Sequence, residues 1–309
     1  MRATPGEIPL GDDWCHELKW DGMRLQIEHR GNGAPIRIWS GSGRDLSEAF
    51  PELHPLASAL PLPATIDGEA VVFRGQTPDF SRLQHRIHQR APSTKEVTDY
   101  PVVFVAFDLL RLDNRSLRNV SYLDRRRLLH QVFPHGHRWV CPPNSEGRAA
   151  GQDLLSLARS RSLEGVVSKR GASSYQSGVR SKDWVKTKLT LRQEFVIGGW
   201  LEATRSSALG SLVIGTWDAS GHLRFAATVA SGLTEHDRQY AQAAMLPSPQ
   251  CPFTPPPTFD RPVHWGEPTM VAEVRCNQWP ADGALRHPVF LGFRTDADPG
   301  TVVREIPIP

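Results

Sequence analysis

The sequence predicts an α+β chain in two domains, a domain of antiparallel sheets and helices over residues 1–190 followed by a small β-barrel over 191–309. Three observations predict it. The chain has 309 residues, a length that suits two domains with a core each. Up to Leu189, runs rich in Val, Ile and Phe alternate with amphipathic stretches. From Gln193 onward the texture changes to short strand-like runs broken by Gly-rich turns. The boundary is expected between Leu189 and Gln193, and no internal repeat is visible.

In chain order, HELKW and RLQIEH read as two strands joined tightly through Asp21-Gly22-Met23. PIRIWS is an alternating strand closed by the turn GSGRD, and LSEAFPELHPLASAL is a helical segment interrupted at Pro51. ATIDGEAVVF and PVVFVAFDLLRL are strands, with the helical DFSRLQHRIHQR between them. YLDRRRLLHQVF and AGQDLLSLARSRS are amphipathic helices, and LEGVVSKR and DWVKTKLT are strands again. Beyond Leu191 come QEFVIGGWLEA, GSLVIGTWD, HLRFAATVAS, TMVAEVRCNQW and PVFLGFR. The helix TEHDRQYAQAAM and a loop with seven prolines between Pro247 and Pro262 interrupt them. Five short strands with an inserted helix suit a Greek-key barrel such as the oligonucleotide-binding (OB) fold.

Hydrophobic residues make up 39% of the chain and charged residues 22%, an ordinary globular balance that argues against disorder and coiled coil. A net charge of +3 is too small to argue a nucleic-acid partner by itself. Its distribution says more: Lys169, Arg170, Arg180, Lys182, Lys186, Lys188 and Arg192 cluster against the single acid Asp183. Either an anionic ligand or a solvated basic face would explain that. The four cysteines are scattered without metal or redox spacing, so a disulfide framework is not expected. No apolar run resembles a secretory signal or a membrane span, and a cytoplasmic protein is the expectation.

Four constellations could carry chemistry. Along a strand, Trp184, Lys186 and Lys188 share a face. Adjacent ammonium groups suit either a solvated edge strand or a pocket that holds an anion between them. Glu17, Lys19 and Asp21 share another face, as a plain ion-pair row or as a nucleophilic lysine between carboxylates. Lysine attacks only when neutral, a state that burial or neighbouring cations favour. Glu69 and Glu164 each sit in a very apolar run, which is costly for a carboxylate without a partner. They could cap turns, pair with arginine, or supply oxygen ligands to Mg²⁺ or Mn²⁺ bridging phosphates. A glycosidase pair is conceivable, but nothing else points to a sugar site.

Taken in order, Lys19-Trp20-Asp21-Gly22-Met23-Arg24, Asp67-Gly68-Glu69, Phe107-Asp108-Leu109-Leu110, Glu164-Gly165-Val166-Val167-Ser168-Lys169 and Trp184-Val185-Lys186-Thr187-Lys188 resemble the nucleotidyltransferase motifs of ATP-dependent DNA ligases. The stretch from Ser174 to Ser181 and the segment 282–290 resemble the ligase module of bacterial end-joining ligases. The resemblance implies an ATP-grasp-like adenylation domain followed by an OB-fold domain. It also implies strand sealing in three steps: lysyl–AMP, AMP transferred to a 5′-phosphate, and attack by a 3′-hydroxyl. By the same resemblance Lys19 is the adenylated nucleophile. Glu17 helps read the adenine edge, Arg24 contacts ribose and phosphate, and Phe107 stacks on adenine. Glu69 holds the ribose and supports the metal, Glu164 is a metal ligand, and Lys186 and Lys188 grip the α-phosphate. ATP and Mg²⁺ or Mn²⁺ are the implied cofactors, nicked or broken duplex DNA the substrate, and a Ku-like end-binding protein the implied partner of a monomer close to the nucleoid. No DNA-encircling, polymerase or nuclease module is expected with it.

Two positions depart from the family pattern. Gly41 follows Ser40 where the family carries a nick-contacting arginine, and Arg44 is the next arginine in that turn. One lost charge-assisted contact costs about 1.5–3 kcal/mol. At the C-terminal motif Arg294 and Asp296 are retained, but Ala297 stands where the family has lysine, which predicts slow adenylation. A weakened homologue that only binds DNA or a partner is therefore one alternative, and an RNA ligase or GTP-using capping enzyme is another.

Overall fold

The structure, a computed structural model, describes residues 1–305 apart from 88, 162, 190, 191, 205, 277, 278 and 280–283. The chain divides into two compact units, one over Met1–Leu189 and one that follows it.

Two sheets build the first unit. In the seven-stranded sheet the main path runs Arg37–Ser40, Met23–His29, Ala64–Arg74, Val102–Leu112, Arg115–Ser116, with Thr77–Pro78 and Trp139–Val140 attached. Alternate residues of its strands, Met23, Leu25 and Ile27 beside Ile66, Ala70, Val72, Phe104 and Ala106, point into one apolar core. Helix Phe80–Ile87 and the short turns around Pro51 add Leu83, Phe50 and Leu53 to that core. The five-stranded sheet runs Arg2–Pro5, Arg180–Lys188, Gly165–Arg170, Trp14–Lys19, Ser145–Glu146. Helix Arg148–Ser160 covers one of its faces, where Ile8, Ala158, Leu163 and Val166 are buried together.

The strands on either side of Asp21-Gly22 lie three residues apart but do not pair. Trp14–Lys19 belongs to the five-stranded sheet and Met23–His29 to the seven-stranded one. The chain therefore steps from one sheet to the other immediately after Lys19. Gly22 makes that step possible, since a Cβ there would stand 2.1 Å from the Ala70 carbonyl oxygen. The facing sides of the sheets meet at Phe107, Leu110, Tyr175 and Trp184.

The second unit is a five-stranded antiparallel sheet in the order Leu223–Val229, Ser206–Trp217, Arg192–Ala203, Val263–Arg275, Val289–Phe293. Leu285 N donates to Ala226 O at 3.0 Å and Phe290 N to Ser231 O at 2.9 Å, which draws the two ends together into an OB-fold barrel. Helix Glu235–Ala244 opens on a capping box between Thr234 and Asp237. Of the segment 282–290, residues 282 and 283 lie outside the described residues. Among the described residues no helix is long and apolar enough to cross a membrane.

Candidate active site

The register of the five-stranded sheet assembles the first group of side chains. Lys19 pairs with Gly165, which pairs with Lys188; Glu17 pairs with Val167, which pairs with Lys186. Directly opposed residues share a face, so Glu17, Lys19, Lys186 and Lys188 all lie on the side away from helix Arg148–Ser160. Strand Arg180–Lys188 is an interior strand, flanked by Arg2–Pro5 and Gly165–Arg170, so its lysine pair does not guard a sheet edge. Gly165, at φ +150°, contributes no side chain between Lys19 and Lys188, and a Cβ there would meet Thr187 O at 2.0 Å. The opening is filled from the preceding residue. Glu164 Oε2 lies 2.7 Å from Lys19 Nζ, and its Oε1 lies 3.8 Å from Lys188 Nζ.

Across from this face, the seven-stranded sheet presents Arg24, Asp67, Glu69 and Phe107. Arg24 pairs in register with Glu69. Its guanidinium forks onto Asp67, Nε to Oδ1 at 3.0 Å and Nη2 to Oδ2 at 2.6 Å. Tyr175 Oη donates to the same Asp67 Oδ2 at 2.7 Å and accepts from Arg24 Nη2 at 2.9 Å. Burial opposes the charge on Asp67, but Arg24 and Tyr175 outweigh it and hold this carboxyl below the usual range. The fully buried acid of this apolar strand is thus Asp67, whereas Glu69 stays partly exposed. The guanidinium of Arg24 also stands 5.5 Å from the centre of the Phe107 ring.

Glu17 is deeply set. Its Oε2 is 2.5 Å from Lys169 Nζ, its Oε1 is 3.4 Å from Arg126 Nε, and the Tyr122 hydroxyl donates to Oε1. Burial again opposes the charge, and Lys169 and Arg126 reverse the balance, so the Glu17 pKa lies below its ordinary value. Behind this cluster Arg125 forks onto Asp108 with both bonds at 2.8 Å, and neither side chain has any exposed surface.

Arg44 is exposed on the turn after strand Arg37–Ser40, held by Ser40 N to Arg44 O at 2.9 Å and Arg44 N to Ser40 Oγ at 3.0 Å. Because Ser40 pairs with Leu25, this turn projects past Arg24 toward the Met23 end of the neighbouring strand. Arg294 belongs to the second unit. There it binds Asp296 at 2.9 Å and Glu273 at 3.0 Å, with Glu194 at 3.7 Å.

A divalent cation has suitable donors at Glu164 and Glu69. Among the described residues no group of three or more His, Cys, Asp or Glu could hold a metal. An ion held there would complete its oxygen shell with nucleotide phosphates and water, the usual habit of Mg²⁺. Sequence analysis assigned no role to Asp67, Asp108, Tyr122, Arg125, Arg126, Lys169 or Tyr175. The detectable signal is the run Arg125-Arg126-Arg127 in an amphipathic helix, whose two inward members need acids and carbonyl oxygens to be buried.

Family models for the ATP dependent DNA ligase domain and the ATP dependent DNA ligase C terminal region match residues 9–188 and 205–297. A multifunctional non-homologous end joining DNA repair protein LigD from Mycobacterium tuberculosis is 38% identical over 99% of this chain. LigD of Pseudomonas aeruginosa is 32% identical over 99% of it. The chain spans 39% of the first relative's length and 36% of the second's. A structure of mycobacterial DNA ligase D complexed with ATP and MES superposes with a TM-score of 0.66 at 36% identity, covering 98% of this chain and 97% of that one.

Proposed function

This chain belongs to the ATP-dependent DNA ligase family, and from that premise we propose that it seals nicks or joined ends in duplex DNA through AMP carried on Lys19. The observation that carries the reading is the placement of Lys19 against Glu164 at 2.7 Å, with Lys188 on the far side of the side-chain-free Gly165. Glu164 holds the Lys19 ammonium until a nucleotide arrives. Lys186 and Lys188 on the same face favour loss of a proton from Lys19 and complement the negative charge that gathers on an α-phosphate under attack. The neutral Nζ then forms a bond to the α-phosphorus as the bond to pyrophosphate breaks, leaving lysyl–AMP. Glu69 and Glu164 would hold Mg²⁺ or Mn²⁺, which supplies further stabilisation of phosphoryl charge. AMP passes next to a 5′-phosphate, and a 3′-hydroxyl displaces it.

The family models and the relatives are DNA ligases, which leaves the RNA-ligase and capping alternatives without support. A role in end joining beside a Ku-like protein, in a cytoplasmic setting close to the nucleoid, completes the reading. It draws on relatives that are named for end joining and are more than twice as long. Incubating the chain with ATP and Mg²⁺ should add the mass of one AMP, and Lys19→Ala should abolish the adduct. A wild-type chain that gains no adduct and does not seal a pre-adenylated nick would overturn the proposal.

A further inference from the structure

We propose that Lys169, Arg126 and Tyr122 form a clamp that fixes Glu17 as an anionic hydrogen-bond acceptor, and that this clamp sets the preference for a 6-aminopurine nucleotide over a 6-oxopurine one. The inference rests on the lysyl–AMP reading above and on Glu17 facing the base.

Lys169 could be mistaken for one more phosphate-gripping cation of this face. It is 2% exposed, and its ammonium is enclosed by the rings of Trp184 at 4.4 Å, Phe107 at 4.5 Å and Tyr122 at 4.9 Å. An ammonium boxed by three aromatic faces with a carboxylate 2.5 Å away has no path to a phosphate. Its ammonium is spent on Glu17 and, at 3.5 Å, on the Phe107 carbonyl oxygen, which makes it a positioning residue. Arg126 is tied in the same way, its Nη1 to Ala106 O at 3.1 Å and its Nη2 to Pro142 O. Tyr122 is fully buried with its hydroxyl on Glu17.

Two donors, Lys169 Nζ and the Tyr122 hydroxyl, therefore meet one carboxylate that has about four acceptor directions in all, and the Arg126 cation adds its charge from 3.4 Å. The directions that remain can only accept. An adenine 6-amino group donates and satisfies one of them. A guanine 6-oxo group brings a second acceptor against a fixed negative charge, leaving both without a proton between them in a buried place. Sites built around such a pairing discriminate strongly, because the wrong partner strands a buried polar group. Phe107 links the two halves of the arrangement, since the ring expected to stack on the base is the same ring that walls in Lys169.

The test presents ATP and GTP together, at equal concentration with Mg²⁺, and reads the AMP and GMP adducts by intact mass as a ratio. Lys169→Met should lower the AMP:GMP ratio at least roughly tenfold, with Tyr122→Phe lowering it less, and Glu17→Gln should lower it most. Lys169→Arg should restore most of the wild-type ratio. A purely structural role would depress both adducts together and leave the ratio alone. Tyr122→Phe removes a single oxygen, so it keeps the test alive should Lys169→Met fail to fold. Ratios that stay at the wild-type value in both variants, while Glu17→Gln shifts it, would overturn the clamp. A ratio unmoved even in Glu17→Gln would show that Glu17 does not read the base, and the clamp would fall with it. A wild-type chain that takes neither nucleotide would instead sink the lysyl–AMP reading and this inference together.

Discussion

Replacing Arg125 by methionine should be among the most destabilising single changes available in the N-terminal unit. Arg125 and Asp108 are both fully buried and joined by two 2.8 Å bonds. Methionine leaves the Asp108 carboxylate in the core with Leu109 N at 2.9 Å as its one remaining donor among the described residues. Removing one partner of a buried ion pair costs about 3–5 kcal/mol, because the survivor keeps its desolvation penalty without its attraction. The carbonyls of Val120 and Ser173 also lose their bonds to Arg125 Nη1. At about 2–4 °C per kcal/mol for a unit of this size, the melting point should fall by roughly 6–20 °C. Scanning calorimetry of the whole chain would read this in the transition of the first unit. Pairing Arg125→Met with Asp108→Leu should recover most of the loss, since an apolar replacement of the whole pair leaves no stranded charge. A single-variant loss below about 1 kcal/mol, or a double variant as unstable as the single, would refute the reasoning.

Gly22→Ala should cost about 1–3 kcal/mol and slow adduct formation, because the new Cβ would press on a backbone oxygen and on Glu69 Cγ at 2.9 Å; an unchanged denaturation midpoint would count against this. His16 and His29 are buried with pKa values held below the ordinary 6.5 by burial. Below that value the unfolded chain takes up protons that the folded unit refuses, so stability present above pH 6.5 is lost as pH falls toward the folded pKa. The melting temperature should therefore drop between pH 7 and pH 5, by less in His16→Gln, and a flat profile would contradict it. Gly41→Arg should tighten binding to a nicked duplex roughly tenfold or more in a gel-shift titration, against an explanation of weak nick contact if affinity does not move.

Much of this architecture is legible from local pattern. The alternation in RLQIEH and the β-rich run ATIDGEAVVF mark their strands because one face meets a core that needs apolar side chains. Pairing is the harder matter. Nothing local says that the strands flanking Asp21-Gly22 go to different sheets, since that depends on partners far along the chain, at Gly165–Arg170 and Ala64–Arg74. Strand Arg2–Pro5 was invisible for the same reason: RATP has little β character and is held by pairing with Arg180–Lys188. Helix Thr94–Asp99 did carry a signal, the Ser93–Glu96 capping box, and went unrecognised because no apolar stripe follows it. At the site, Lys19, Glu164 and Lys188 are singled out by resemblance to the ligase motifs, and the three side chains do lie together. The internal supports are not singled out. A buried acid such as Asp67 or Asp108 looks in sequence like any strand residue until the second face of its sheet is known to be covered.

The three-residue step from Lys19 to Met23 sets a mechanical asymmetry in the cleft. Four Cα steps from Lys19 to Met23 span at most about 14 Å, one step fewer than the other crossing between the two sheets, Val140 to Ser145, so this is where they are tethered most closely. Like the spine of a book, this end cannot part far while the margins can. A nucleotide that spreads the sheets would do so mainly at the far side, and the displacement felt by the lysine nitrogen would be the smallest in the cleft. Inserting a single residue between Trp20 and Gly22 would loosen the binding of the volume without removing any page.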